Sequence, residues 1–109
     1  MTAPKFPRTL TVFGQVVELR RSRRYVVPYN GRVGSLGDIE IYCQLRKNGK
    51  LEYGIDLKSH RLGYGFFKTV AAAERDFLAK ANKRYKYNNQ HNTAIADAIA
   101  LVVSLKPMV

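Results

Sequence analysis

The sequence has a single cysteine, Cys43, among its 109 residues. One thiol cannot form an intramolecular disulfide, and it gives a structural zinc site no second thiolate. No apolar run approaches the roughly 20 residues that a membrane-spanning helix needs, and residues 1–7 lack the apolar segment of a secretory signal. We therefore expect a protein of the reducing cytoplasm that has no membrane partner.

Acidic residues are also scarce. Eight Asp and Glu stand against nineteen Lys and Arg, so the formal net charge is +11 at pH 7. Such an excess favours a polyanionic partner, with DNA or RNA first and an acidic protein surface second. Hydrophobic residues make up 46% of the chain, which excludes a disordered or fibrous protein. We expect one domain, residues 1–109, in which residues 1–8 form a flexible tail.

Several short segments predict β-strands. Runs rich in β-branched residues lie at 9–13 and 15–19, with Gly14 between them as a bulge, a bend or a turn. A third strand is predicted over Tyr25–Tyr29, whereas the glycine-rich segment 30–38 is predicted to be a connection. The sheet is completed by the runs 39–46, 51–58 and 61–67, of which the first two alternate apolar and polar residues. Such a meander predicts an antiparallel sheet of about four to six strands.

The two alternating runs predict a hairpin whose turn length can be argued from parity. A two-residue turn at 48–49 would place Leu45 opposite a glutamate and mix apolar with polar side chains on both faces. A three-residue turn over 47–49, with Gly49 in the left-handed region, places Leu45 opposite Leu51 and gives the hairpin one apolar face. Because the buried face decides the register of a strand, we predict the three-residue turn.

Helical spacing follows Thr69, which is a good N-cap residue. An apolar stripe predicts a helix over about residues 70–86, and its members are Val70, Ala73, Phe77, Ala81 and Tyr85. A second helix, over about residues 94–105, is apolar on nearly every side, which is typical of a helix in the core or at a homodimer interface. The fold class is therefore predicted as α+β, with an antiparallel β-sheet over about residues 9–67 followed by two α-helices packed on one face.

A run of arginines is the first candidate for a nucleic-acid contact. Four arginines fall within five residues between two predicted strands, and guanidinium groups bind phosphate through two parallel hydrogen bonds. We expect this run to project from the sheet as a mobile, exposed tip, with tyrosine beside it for base stacking. The candidate residues are Arg20, Arg21, Arg23, Arg24, Tyr25 and Arg32.

A second basic cluster lies at the end of the first predicted helix. It consists of Lys80, Lys83, Arg84 and Lys86. These residues could contact nucleic acid, but positive charge at a helix C-terminus is also stabilising in its own right. We favour the stabilising role for this cluster.

The polar face of the predicted sheet is the third candidate, with Tyr42, Gln44, Arg46, Lys58 and Arg61. An antiparallel ribbon can enter a major groove and present such side chains to base edges. Short motifs follow in the order Lys47-Asn48-Gly49-Lys50, Leu62-Gly63, Phe67-Lys68-Thr69 and Ala72-Ala73 with Phe77. With these motifs, residues 39–86 resemble the three-stranded-sheet-plus-helix DNA-binding domains of plant ethylene-response factors and the amino-terminal domains of some phage tyrosine integrases. The resemblance implies that this sheet face contacts DNA.

Acidic residues on the same face raise an enzymatic alternative. In the predicted register Glu40 lies opposite Asp56, and the triplet 56–58 with Glu40 or Asp38 is similar to the carboxylate-plus-lysine arrangement of metal-dependent nucleases. Such a triplet arises readily by chance, so we interpret it as part of a polar face balanced by Arg61. Neither histidine has a companion at metal-ligand spacing. We therefore assign no catalytic residue, no metal and no cofactor.

The sequence thus predicts a small basic protein that binds DNA or RNA without enzymatic activity. Two alternatives stay open. One is a small adaptor or inhibitor protein, of the kind that phages encode, which docks on an acidic protein surface. The other is a metal-dependent nuclease.

Overall fold

A computed structural model describes residues 6–21, 32–46, 48–58, 60, 62, 65–88 and 93–105. The elements in chain order are strands β1 (Arg8–Val12), β2 (Gln15–Arg21), β3 (Arg32–Leu36), β4 (Ile39–Leu45) and β5 (Leu51–Leu57), then helices α1 (Val70–Asn88) and α2 (Thr93–Leu105). The five strands form one antiparallel sheet in the order β1-β2-β3-β4-β5. The predicted α+β class, a sheet followed by two helices, is confirmed.

Strands β1 and β2 are joined by a two-residue turn, which decides among the three interpretations of Gly14. Val12 pairs with Gln15, and both turn residues have positive φ, 49° at Phe13 and 78° at Gly14. Positive φ at both positions matches the right-handed twist of the flanking strands. Although a phenylalanine is uncommon there, the ring of Phe13 is buried and lies 6.1 Å from that of Phe77. Burial of this ring offsets the strain of the left-handed backbone.

The prediction of a connection over 30–38 is wrong for Arg32–Leu36, which form strand β3. Its glycines indicated a loop, but Gly34 serves the packing between strands instead. A Cβ atom at Gly34 would lie 2.4 Å from Cγ1 of Val17 and 2.8 Å from the carbonyl oxygen of Glu18. The glycine therefore lets β2 cross closely over β3. The predicted strand Tyr25–Tyr29 lies outside the described residues.

The predicted register of the β4–β5 hairpin is confirmed. The apolar pairs are Ile39–Leu57, Ile41–Ile55, Cys43–Tyr53 and Leu45–Leu51. Arg46 donates its N–H to the carbonyl of Lys50 at 2.9 Å, so three residues form the turn. Gly49 has a φ of 83°, in the left-handed region that favours glycine.

The strand predicted over 61–67 is reduced, in the described residues, to one bridge. Phe67 and Tyr53 exchange both backbone hydrogen bonds, at 2.7 and 2.8 Å. Before this bridge the chain lies against the face of β5, because a Cβ atom at Gly54 would lie 2.7 Å from the carbonyl oxygen of Gly65. A segment that covers the face of a strand in this way cannot also continue along its edge.

The two helices complete the core. Ala73, Phe77 and Ala81 of α1 are buried as predicted, whereas Tyr85 at the end of the stripe is 42% exposed. The predicted N-cap is confirmed, since Oγ1 of Thr69 accepts the N–H of Ala72 at 3.1 Å. In α2 the buried residues are Ile95, Ala98 and Val102, while Val103 is exposed. In the described part of the chain, neither helix has the length and apolarity needed to cross a membrane.

Candidate nucleic-acid interface

The antiparallel order brings arginines of β1, β2 and β3, together with Arg46 just after β4, to one end of the sheet. At this end β1, β3 and β5 begin, and β2 and β4 finish. We call it the arginine end, and its members are Arg8, Arg20, Arg21, Arg32 and Arg46. Arg21 is the direct cross-strand partner of Arg32, so their Cα atoms are about 5 Å apart. Residues distant in the sequence therefore lie at one end of the sheet, although consecutive strand residues such as Arg20 and Arg21 point to opposite faces.

Arg20 and Arg21 are the last two residues of β2, and not members of a projecting tip. Arg20 pairs with Val33 across the ladder, its side chain is 77% exposed and it forms an ion pair with Glu18. The side chain of Arg21 is exposed as well. The expectation of a mobile tip is therefore wrong for these two arginines, because the ladder to β3 holds their backbone. Arg23, Arg24 and Tyr25 lie outside the described residues.

A groove opens beside these arginines. It is lined by Phe6, Pro7, Glu18, Arg20 and Arg21 and has a volume of about 470 Å³. Phe6 is half-buried and packs against the hydrophobic core. Sequence reasoning missed Phe6 because it assigned residues 1–8 to a flexible tail, which is wrong for residues 6–8. The sequence feature that could have identified Phe6 is the presence of a large aromatic residue two positions before a strand.

The polar sheet face is less accessible than predicted. Tyr42 is only 5% exposed and donates its hydroxyl to Oε1 of Glu40 at 3.0 Å. Gln44 donates to Oε1 of Glu52 at 3.2 Å, and Arg46 forms an ion pair with the same oxygen at 3.3 Å. The expectation that Tyr42 belongs to an exposed reading surface is wrong, because the segment before Phe67 covers this face of β5.

The other two residues of this predicted face lie away from Gln44. Lys58 is exposed and follows β5 at the opposite end of the sheet, where its N–H donates to the carbonyl of Asp38 at 2.8 Å. Arg61, the predicted balancing cation, lies outside the described residues. The structure therefore does not bring Lys58 together with the arginine end.

Glu40 and Asp56 are direct cross-strand partners, as predicted. Both are buried, at 8% and 3% exposed. Oδ1 of Asp56 accepts the N–H groups of Leu57 and Leu62, each at 2.8 Å. The carboxylate therefore fixes the chain where it leaves β5. Among the described residues, no group of three or more His, Cys, Asp or Glu side chains could hold a metal ion.

The members of the second basic cluster lie on α1, and two of them have partners within the protein. Lys80 forms an ion pair with Asp76 at 3.0 Å, and Arg84 donates to the carbonyl of His60 at 2.6 Å. Lys83 and Lys86 are exposed on the side of the helix away from its buried face. Half of this cluster is thus engaged within the protein.

The arginine end is suited to binding a polyanion. Guanidinium groups stay charged at physiological pH and match the geometry of phosphate oxygens. The acidic neighbours Glu18 and Glu52 form exposed or half-exposed ion pairs with Arg20 and Arg46. Such pairs contribute little energy, so a phosphate can compete for the same guanidinium groups. Comparisons with protein-family models, with curated proteins and with solved structures find no significant match.

Proposed function

We propose that this protein binds DNA or RNA without enzymatic activity, and that the arginine end is its phosphate-contacting surface. The observation that carries the proposal is the β2–β3 register, which pairs Arg21 with Arg32 at the same end of the sheet as Arg8, Arg20 and Arg46. Guanidinium groups match the geometry of phosphate oxygens and stay charged at physiological pH, so a cluster of arginines at one sheet end favours a phosphate-containing partner.

The rigidity of the ladder supports the same function. A guanidinium that projects from a paired strand has a fixed origin, so its binding to phosphate orders less of the chain than a flexible loop would. The net charge of +11 adds long-range attraction that steers a polyanion toward the protein.

A titration of labelled DNA and RNA against the protein at several salt concentrations tests the proposal. If about four phosphates are neutralised, raising the salt from 50 to 200 mM weakens binding by about a hundredfold. The test variant replaces four members of the arginine end, Arg8, Arg20, Arg21 and Arg46, by Gln. We expect weaker binding and a flatter salt slope, which is the slope of the logarithm of the affinity against the logarithm of the salt concentration. The melting temperature should change little because exposed charges contribute little to folding.

A matched control separates the position of the charges from their number. Lys68, Arg75, Lys83 and Lys86 are four exposed cations at or on α1, and their replacement by Gln removes the same net charge. We expect this control to keep nearly the wild-type salt slope. Equal losses in the two variants would mean that net charge alone drives binding, and the arginine end would be rejected.

Two further outcomes would reject the function itself. One is absence of binding to both DNA and RNA at 50 mM salt, after which an acidic protein surface becomes the leading partner. The other is cleavage of either nucleic acid with Mg²⁺ by wild-type protein but not by the Asp56→Asn variant. That result would favour the metal-dependent nuclease.

A further inference from the structure

The groove beside β2 combines two kinds of binding group. Phe6 provides an aromatic ring, and Arg20 and Arg21 provide guanidinium groups on the same groove. Phe6 is half-buried and packs against the hydrophobic core, which restricts its movement. An aromatic platform beside arginines is the combination that single-stranded nucleic acids use, in which bases stack on the ring and phosphates bind the cations.

The groove suits an unpaired base better than a duplex. It is open to solvent, and its volume of about 470 Å³ lies within the range of spaces that bind a small organic group. A base in a duplex has both of its faces stacked on neighbouring pairs, so it cannot stack on a protein ring without leaving the helix. An unpaired nucleotide can place its base on Phe6 at no such cost.

Glu18 is an acidic residue of the groove lining. Its carboxylate pairs with Arg20 and repels phosphate from its own side of the groove. Carboxylates accept hydrogen bonds from the amino groups of bases. The phosphates should therefore follow the guanidinium groups, with the base directed toward Phe6 and Glu18.

We propose that this groove binds an unpaired nucleotide, and hence that the nucleic-acid partner is single-stranded. The inference rests on the proposed function, of which it specifies the substrate class. In this arrangement Phe6 stacks on the base, and Arg20 and Arg21 bind the phosphates. Glu18 limits the orientation of the nucleotide. Duplex DNA then binds only through the phosphate contacts of the arginine end.

The first test compares affinities for a single-stranded oligonucleotide and for a duplex of the same length at 50 mM salt. We expect Phe6→Leu to weaken single-strand binding by about tenfold or more, the loss of one stacked base, with duplex binding unchanged. Its salt slope should stay at the wild-type value because the slope counts phosphate contacts. Phe6→Tyr should retain the affinity, since a phenol ring stacks as well.

The second test reports stacking directly and does not depend on how well Phe6→Leu folds. The chain contains no tryptophan, so Phe6→Trp introduces a single indole emitter into the groove. We expect a single strand to quench its fluorescence, while a duplex at equal saturation leaves it unchanged. The matched control is Tyr85→Trp, at an exposed aromatic position on α1, which neither ligand should quench.

The outcomes separate the two proposals. Absence of binding to either ligand rejects the proposed function. Binding without preference for the single strand, or single-strand binding that leaves the indole at position 6 unquenched, rejects the groove and leaves the phosphate-contacting arginine end intact. Quenching at position 85 instead would move the site to the second basic cluster.

Discussion

Substitution of Asp56 separates a structural carboxylate from a catalytic one. Asp56 is 3% exposed, and its Oδ1 accepts the N–H groups of Leu57 and Leu62, each at 2.8 Å. Asp56→Ala leaves both donors buried without this acceptor. A hydrogen bond to a charged group contributes about 1.5–3 kcal/mol, and some of the loss is returned because repulsion from Glu40 disappears. We expect a net loss of about 3 kcal/mol or more in the free energy of unfolding.

Asp56→Asn is the matched control. An amide oxygen at the Oδ1 position keeps both acceptor contacts and removes only the charge, so we expect a change within about 1 kcal/mol. Urea unfolding followed by circular dichroism measures both variants. Equal destabilisation by Asn and Ala would contradict the reasoning, because the charge and not the acceptor would then matter. If the Ala variant fails to fold, a stable Asn variant still supports the structural role, whereas an Asn variant that also fails to fold refutes it.

Three further predictions concern the backbone and the helix start. Gly34→Ala should destabilise the fold by about 2–3 kcal/mol, because the added Cβ would lie 2.4 Å from Cγ1 of Val17; a neutral effect in urea unfolding would contradict the close crossing of β2 and β3. Gly49→Ala should cost about 1 kcal/mol since its φ is 83°, and an unchanged urea midpoint would argue against that turn. Thr69→Ala should lower the free energy of unfolding by about 1 kcal/mol, because the N-cap hydrogen bond to Ala72 is lost. Thr69→Ser should retain most of that stability, and a Ser variant as unstable as the Ala variant would contradict the role of the cap.

Local patterns in the sequence were sufficient for several elements. Period-two alternation and the parity of the turn determined the β4–β5 register, including Gly49 at positive φ. The N-cap at Thr69 and the spacing of buried residues determined α1. These signals are reliable because each depends on neighbours within one hairpin or one helical turn.

Glycine has two structural roles in this chain that the sequence does not distinguish. The glycines of 30–38 indicated a connection, although Gly34 lies within β3, where Val17 of another strand occupies the space of its absent side chain. A glycine required by a turn and one required by a close approach look the same in a sequence. Only the position of the distant strand distinguishes them.

The sequence by itself determined the class of the fold, the register of one hairpin and the excess of positive charge. Only the tertiary structure decided which of those charges lie close together. It brought Arg21 beside Arg32, placed Phe6 next to Arg20, and buried Tyr42 on a face that alternation alone marks as polar. The physical reason is that alternation along one strand shows only which of its residues share a face. Whether another segment covers that face, and which strand ends lie side by side, depends on parts of the chain that are far apart in sequence.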